Sequence, residues 1–497
     1  MNYYGMNYIY PKNRCTNQQH NNTSLHTPPS NMARDEENEK QLHIVMFPWL
    51  AFGHMIPYLE LAKLIAQNGH KVTFISTPRN INRLPKLPQN LTTLLKYVNL
   101  PLPRVDNLPE NVEATTDVTY DVVPYLKKAF DLLQQPFAQF LESSNADWVL
   151  FDFIPFWVPS VASKLGIKTA FYSIFPAPLM GFLGSPLCLM GNDPIRTQPE
   201  NFTVPPPWVP FPSTVAFRYF EIMRISDVLS DNASGISDKY RFGAAIQNCD
   251  FVAVRGCTDF QPEWFQVLRN IYQKPVLPVG QLPTTGFAGG EDNDAWRWMK
   301  EWLDKQARGR VVYVAFGSEA KPSQEEVREI ALGLEKTELP FFWVLRTRRG
   351  TSDTEELRLP EGFEVRTKER GVVWTSWAPQ LKIIGHESVG GFLTHSGWTS
   401  VVEAVEKEKP LVLLTFLADQ GINARVVEEK KMGYSVPRNE LDGSFTSDAV
   451  AESVRLVMVE EEGRVYRENI KKVKHFFVNE ERQERYVDEL LSHLRSH

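Results

Sequence analysis

WAPQLKIIGHESVGGFLTHSGWTSVVEAVEKEKPLVLLTFLADQ, residues 377–420, places two strand-length apolar runs, VGGFLTH and PLVLLTF, on either side of a helical pattern. Thr394, His395, Ser396 and Gly397 close the first run and open the helix that continues through Val401 and Val405. Small residues at 396 and 397 let the backbone approach a ligand, and the free N–H groups of a helix start favour an anion such as phosphate. The helix dipole supplies only about 0.3–1 kcal/mol, so neighbouring donors must do most of the binding. His395 and Ser400 are such donors. Glu403 lies three residues beyond Ser400, hence on the same face, where a carboxylate can accept from ribose hydroxyls. Trp377 offers a flat face for a pyrimidine base. Taken singly, each has an ordinary structural role: a lone Trp is usually core, a Gly before a helix usually a cap, a helical Glu usually solvated.

Working outward, the same strand–helix alternation fills the second half. The spacing predicts a helix over 296–306, a strand and loop in RVVYVAFGS, a helix in PSQEEVREIALGLEK and strands in FFWVLR and GVVWTSW. Charged helical patterns run from Ser447 to the end. The first half repeats the texture. LHIVMFP (42–48) is a strand; a loop, WLAFG, follows; then a helical pattern runs from His54, with Tyr58, Leu61, Ala62 and Ile65 on one face and Glu60, Lys63 and Gln67 on the other. Pro57 is expected in its first turn and Gly69 at its end. KVTFIST, DWVLFDF, KTAFYSI and DFVAVRG read as further buried strands. Between the halves VLPVGQLPTTGFAGGEDND is rich in Gly, Pro and acid and lacks periodicity. The expected class is α/β, with two doubly wound Rossmann-like domains facing a cleft at their carboxyl strand ends. The expected boundaries are a disordered extension over 1–40, a first domain over 41–275, a linker over 276–295 and a second domain with C-terminal helices over 296–497.

The chain has 497 residues, 42% hydrophobic and 23% charged, and a net charge of −6 from 54 basic and 60 acidic residues. No basic block marks a nucleic-acid partner. The 4 cysteines, Cys15, Cys188, Cys249 and Cys257, are scattered without a CxxC pair, so reduced thiols are expected rather than a zinc site or a disulfide scaffold. The first thirty-odd residues lack the apolar core of a secretory signal and the Arg-rich pattern of a transit peptide. Residues 169–192 carry no charge, but Pro176, Pro178, Pro186, Gly181, Gly184 and Gly191 break them too often for a membrane span. They read as an apolar pocket wall.

Neither half has G-x-G-x-x-G after its first strand, and G-x-x-x-x-G-K-[ST] is absent, which disfavours dinucleotide and P-loop sites. A hydrolase triad lacks its G-x-S-x-G elbow. Asp292 and Asp294 spell an acidic pair that could hold a divalent metal, but they sit among other linker acids, so a solvated loop is expected and no metal. His54 follows a strand and loop, and Asp152 ends another strand. Without residues 377–420 they read as a helix cap and a turn residue.

Together these residues closely resemble the secondary product glycosyltransferase box of plant UDP-dependent glycosyltransferases. Trp377, Pro379 and Gln380 match its opening, Gly390, Thr394, His395, Gly397, Trp398, Ser400 and Glu403 its middle, and Asp419 and Gln420 its end. The likeness extends from Leu42 to the C-terminus. It implies a two-domain GT-B fold and an inverting transfer from a UDP-sugar. In it Trp377, with Ala378 beside it, stacks on uracil and Gln380 supports the uridine. His395 and Ser400 hold the diphosphate, Ser318 of the FGS loop adds a phosphate contact, and Gly397, Trp398 and Thr399 belong to the donor-binding set. Glu403 binds ribose, and Asp419 and Gln420 hold the sugar. Thr399 stands where the box usually has Asn, and Ser396 where Cys is common.

The resemblance also supplies a catalytic pair. His54 matches the family pattern F-P-x(5)-H as general base, and Asp152 matches the Asp that orients it. An alcohol is a poor nucleophile, and a base near neutral pH assists its attack. The stretches PWLAFGH and VRGCTDFQPEWF look most like the branch that extends glycosides, with UDP-glucose or UDP-rhamnose as donor and a flavonoid or terpenoid glycoside as acceptor. A cytoplasmic monomer is expected, with no cofactor, a UDP-sugar and a small lipophilic acceptor as partners, and acceptor shape set by loops over 123–139 and 175–190. A catalytically idle UDP-sugar-binding protein is the alternative.

Overall fold

A computed structural model describes residues 40–192, 195–225, 231–285, 293–347 and 356–497. The expected extension over 1–40 (all but its last residue) and Asp292 lie outside the described residues.

Two wholly parallel sheets carry the fold. The first has strands β1 (His43–Phe47), β2 (Lys71–Ser76), β3 (Leu95–Asn99), β4 (Trp148–Phe151), β5 (Lys168–Ser173), β6 (Phe251–Val254) and β7 (Val276–Pro278), in the order β3-β2-β1-β4-β5-β6-β7. The second has β8 (Val311–Ala315), β9 (Phe341–Val344), β10 (Gly371–Trp374), β11 (Val389–Thr394), β12 (Leu411–Leu413) and β13 (Gly433–Ser435), in the order β10-β9-β8-β11-β12-β13. Helices cover both faces, which is why the strands are apolar throughout rather than alternating with polar residues. Along β1, Ile44 and Met46 join one core while Val45 and Phe47 join another. Along β8, Val312 and Val314 face away from Val311 and Tyr313 in the same way.

In each sheet the strand order reverses once between neighbours, β1 with β4 and β8 with β11. The chains leaving the two strands diverge there and open a crevice at their carboxyl ends. His54 follows β1, Asp152 follows β4, Ser318 follows β8 and His395 follows β11. The crevices of both sheets are therefore lined by residues singled out in the sequence.

Several expectations are corrected. The linker does not begin at 276, because Val276–Pro278 pairs with β6. The last helix, Glu480–Ser496, does not belong with the second sheet. Its stripe of Val487, Leu490, Leu491 and Leu494 shares a core with Ile44 and Met46, and Trp148 Nε1 donates to the Leu494 carbonyl at 3.0 Å. Residues 123–139 are largely helical, in Val123–Asp131 and the start of Gln134–Ser144, and 177–183 form a further helix. The first helix starts at Phe52, so Pro57 falls beyond its first turn. Glu60 and Lys63, on the helix face opposite Tyr58 and Leu61, are also buried; they pair with each other at 2.7 Å and both bind Thr285. β3, β7 and β13 escaped the sequence reading: all three are edge strands, and the last two are only three residues long.

Candidate active site

The helix Phe52–Gln67 is entered from an extended Ala51, which sets His54 in its first turn at the mouth of the first crevice. Its Nδ1 lies 2.7 Å from Asp152 Oδ2. That carboxylate is buried, and it is fully engaged: Oδ2 also accepts from the Trp49 N–H at 3.1 Å, and Oδ1 accepts from the Phe153 N–H at 2.8 Å. A carboxylate that only accepts fixes the tautomer of its neighbour. Nδ1 carries the proton, and Nε2 is left as the basic nitrogen. Phe175 meets the imidazole edge-on at 5.3 Å, and Phe153, itself stacked on Phe242 at 4.0 Å, lies 6.0 Å away. The base thus stands against an aromatic wall.

The second crevice is built on two glycine turns. Ser396 is left-handed at φ 71°, and Gly397 caps the helix Trp398–Glu406. A Cβ on Gly397 would fall 2.5 Å from His395 Nε2, and one on Gly317, beside Ser318, would fall 2.6 Å from the same atom. Side chains at either position would displace the ring. Burial pushes the His395 imidazolium down to a pKa of about 4, so the ring is neutral at pH 7.

At the start of a separate helix, Gln380–Gly385, Gln380 binds three partners. Its Nε2 donates to Glu403 Oε2 at 2.6 Å and to Ser400 Oγ at 3.2 Å, and its Oε1 accepts from the Tyr313 hydroxyl at 3.3 Å. Burial raises the Glu403 carboxyl to about 7, against the pull of Gln380, Arg255 and Thr284. Trp377 is 54% exposed, with Ala378 half-buried beside it, and its carbonyl accepts from Trp374 Nε1 at 3.1 Å. An exposed indole on a fixed backbone is a free stacking face.

Asp419 accepts from Asn423 Nδ2 at 2.6 Å. Burial raises its carboxyl, and Asn423 and His54 oppose that rise. Gln420 is buried; its Oε1 accepts from the Phe416 and Leu417 N–H groups at 2.8 and 3.1 Å, which leaves only the amide –NH2 to face a ligand. The Trp398 indole is turned into the interior, where Nε1 donates to Gln281 Oε1 at 3.0 Å, so only its backbone is placed to meet an anion. Thr399 is half-buried, and its hydroxyl oxygen accepts from Arg255 Nη1 at 2.8 Å.

Among the described residues no group of three or more His, Cys, Asp or Glu side chains could hold a metal. Asp294 sits in the first turn of a helix and pairs with Arg297 at 2.5 Å. Cys188, Cys249 and Cys257 are free thiols. Among the described residues no helix is long and apolar enough to cross a membrane.

The sequence reading missed Arg255, Gln281 and Thr284. The available signal was Arg255 itself, a charge closing the otherwise apolar run DFVAVRG. Chemically, the chain offers a carboxylate-backed imidazole at the first crevice, and at the second a helix N-terminus with the His395, Thr399 and Ser400 side chains near it and buried Glu403 further along.

Residues 265–480 match the family model described as UDP-glucoronosyl and UDP-glucosyl transferase. The chain is 53% identical over 469 residues to UDP-glycosyltransferase 91A1 of Arabidopsis thaliana, covering 94% of this chain and 99% of that protein. It is 41% identical to soyasaponin III rhamnosyltransferase of Glycine max, covering 93% and 97%. The crystal structure of Glycyrrhiza uralensis UGT73P12 complexed with glycyrrhetinic acid 3-O-monoglucuronide superposes with a TM-score of 0.74 at 21% identity, covering 92% and 96%, and shows the same fold.

Proposed function

The chain belongs to the UDP-glucoronosyl and UDP-glucosyl transferase family, and from that premise we propose that it transfers glucose or rhamnose from UDP onto a hydroxyl of an existing flavonoid or terpenoid glycoside. UDP-sugar-dependent glycosyl transfer is the activity of the family. The finer reading draws on the likeness of PWLAFGH and VRGCTDFQPEWF to the glycoside-extending branch, and on the rhamnosyltransferase among the relatives.

The observation that carries the mechanism is His54, backed by Asp152 at 2.7 Å. The acceptor hydroxyl gives its proton to His54 Nε2 as its oxygen attacks the anomeric carbon. The bond from that carbon to the β-phosphate oxygen breaks on the opposite face, so the configuration inverts. Negative charge gathers on the departing UDP, where the N-terminus of Trp398–Glu406, His395, Thr399, Ser400 and Ser318 receive it. Asp152 stabilises the imidazolium that results. Glu403 accepts from ribose, Trp377 stacks on uracil, Gln380 orients Glu403, and Asp419 with the Gln420 amide holds the sugar. The wall of Phe153, Phe175 and Phe242 receives the apolar acceptor. With the base and the charge stabilisers supplied by the chain, no step needs a metal. The protein acts as a monomer in the cytoplasm.

The test is product mass after incubation with UDP-glucose or UDP-rhamnose and a panel of flavonoid and triterpenoid monoglycosides beside their aglycones. A hexose or deoxyhexose gained on the glycosides alone is expected. Transfer to aglycones only overturns the glycoside reading, and UDP binding without transfer to anything points to an idle binding protein.

A further inference from the structure

Arg255 closes β6 in the first sheet and is 1% exposed. A buried guanidinium requires partners for its donors. All three of its nitrogens have them: Nε donates to the Gln281 carbonyl at 2.8 Å, Nη2 to the Leu282 carbonyl at 3.2 Å, and Nη1 to Thr399 Oγ1 at 2.8 Å. The first two lie on the segment that crosses from one sheet to the other. Leu282 there is held left-handed at φ 51°, a conformation a branched side chain adopts only when its surroundings impose it. The third acceptor belongs to the helix that opens the donor crevice.

The same short segment is fastened on both sides. Gln281 accepts from the Trp398 indole at 3.0 Å, and Thr284 donates to Glu403 at 3.4 Å, so it grips the first two turns of helix Trp398–Glu406. Thr285 donates to Glu60 at 2.6 Å and receives Lys63 at 2.7 Å, so it also grips the helix that begins beside His54. Arg255 is the one side chain here that binds both the segment and the donor helix.

We propose that Arg255 is a positioning residue of the donor site, which holds the Thr399 oxygen so that the hydroxyl proton is directed to the diphosphate. A hydroxyl has one proton and two lone pairs. An oxygen that accepts from a guanidinium keeps its O–H to donate, and the contact fixes where that O–H can point. Thr399 is half-buried in the first turn of helix Trp398–Glu406, with the buried Arg255 against its oxygen. Thr399 with Arg255 thereby supplies the donor that an Asn amide would supply in its place. Burial lowers the pKa of the Arg255 guanidinium, while Tyr172, Glu403 and Glu60 oppose that loss.

The inference rests on the donor site assigned above, and wild-type binding of UDP tests that assignment separately. Titration calorimetry with UDP and steady-state kinetics with UDP-glucose would be run on T399V, T399S, R255M and the double variant. T399V is expected to weaken UDP and raise KM for the donor by on the order of tenfold, with KM for the acceptor unchanged and T399S close to wild type. R255M is expected to weaken UDP to a similar degree, and the double variant no further, since both remove one contact. If wild type binds UDP and T399V binds it equally well, or if the two single effects multiply in the double variant, the proposal falls. Should R255M fail to fold, R255K takes its place: weaker UDP binding is expected, and binding equal to wild type overturns the proposal.

Discussion

Asp152 Oδ2 lies 2.7 Å from His54 Nδ1, across the turns that leave β1 and β4. These strands are adjacent and parallel, and their onward chains diverge, so the pair is held by the sheet register rather than by a loop. The register pairs Phe47 with Phe151, the residue that precedes Asp152. A carboxylate on that turn reaches a histidine one short loop beyond β1 with no flexible element between them.

His54→Ala should lower kcat by about 10²–10⁴, the range a positioned general base contributes, with the Kd for UDP unchanged. Asp152→Asn should lower kcat as well, because its amide can offer a donor to Nδ1 and stabilise the wrong tautomer. Single-turnover transfer alongside UDP calorimetry separates chemistry from binding. Turnover of H54A near the wild-type rate would remove His54 from the base role.

Burial raises the Glu403 carboxyl to about 7, and if it holds the ribose as proposed, its carboxylate accepts from the two hydroxyls more strongly than the neutral acid does. UDP affinity should therefore rise with pH between 6 and 8. In Glu403→Gln the binding should be weaker and flat across that range. Calorimetry at three pH values decides it; a parallel pH dependence in the variant would assign the titration to another group.

The inner strands and most helices were legible because buried parallel strands read as unbroken apolar runs, as in WVLF and VVYVA, whereas the edge strands β3, β7 and β13 were not. Ser400 and Glu403 were legible as neighbours because they stand three residues apart on one helix, where both meet Gln380, and His395 because it ends the strand ahead of that helix. Arg255 and Thr284 were not. Their importance comes from contacts over 144 and 119 residues of separation, and no local pattern reports a pairing at that distance. The same holds for Glu60 and Lys63, which look solvated at helical spacing and both bind Thr285, 225 and 222 residues away. The last helix misled for a related reason: its leucine stripe shows that it packs, but not on which sheet.

Gly317→Ala should cost both stability and donor binding. Gly317 is left-handed at φ 72°, and an added Cβ would sit 2.6 Å from His395 Nε2. Strain at such a position costs about 1–3 kcal/mol, and the ring must move out of the diphosphate site as well. A lowered melting temperature with at least a several-fold weaker UDP affinity is expected. Unchanged UDP binding would show that His395 is not held by this turn.

Transfer should survive EDTA. The described partner of Asp294 is Arg297, and the charge on the leaving diphosphate is assigned to the chain's own donors. The measurement is initial rate after exhaustive chelation. A loss restored by Mg²⁺ or Mn²⁺ would reopen the acidic pair at Asp292 and Asp294.

His395 and Glu403 should pull the pH dependence of stability in opposite directions. Folding raises Glu403 from an ordinary 4.5 to about 7, so between those values the folded chain keeps a proton that the unfolded chain has lost. Stability from this group is full below pH 4.5 and is lost as pH rises through 7. Folding lowers His395 from 6.5 to about 4, so the unfolded chain takes up a proton in that window and the folded chain does not. Stability from this group is full above pH 6.5 and is lost as pH falls through 4. Between 4.5 and 6.5 the two slopes offset each other. Glu403→Gln removes one of them, so its stability relative to wild type should improve by up to about 3 kcal/mol from pH 4.5 to 7. Urea unfolding of both proteins at intervals across that range measures the difference directly. Curves that stay parallel would mean that Glu403 is ionised throughout, and that its hydrogen bonds to Gln380 and Thr284 outweigh its burial.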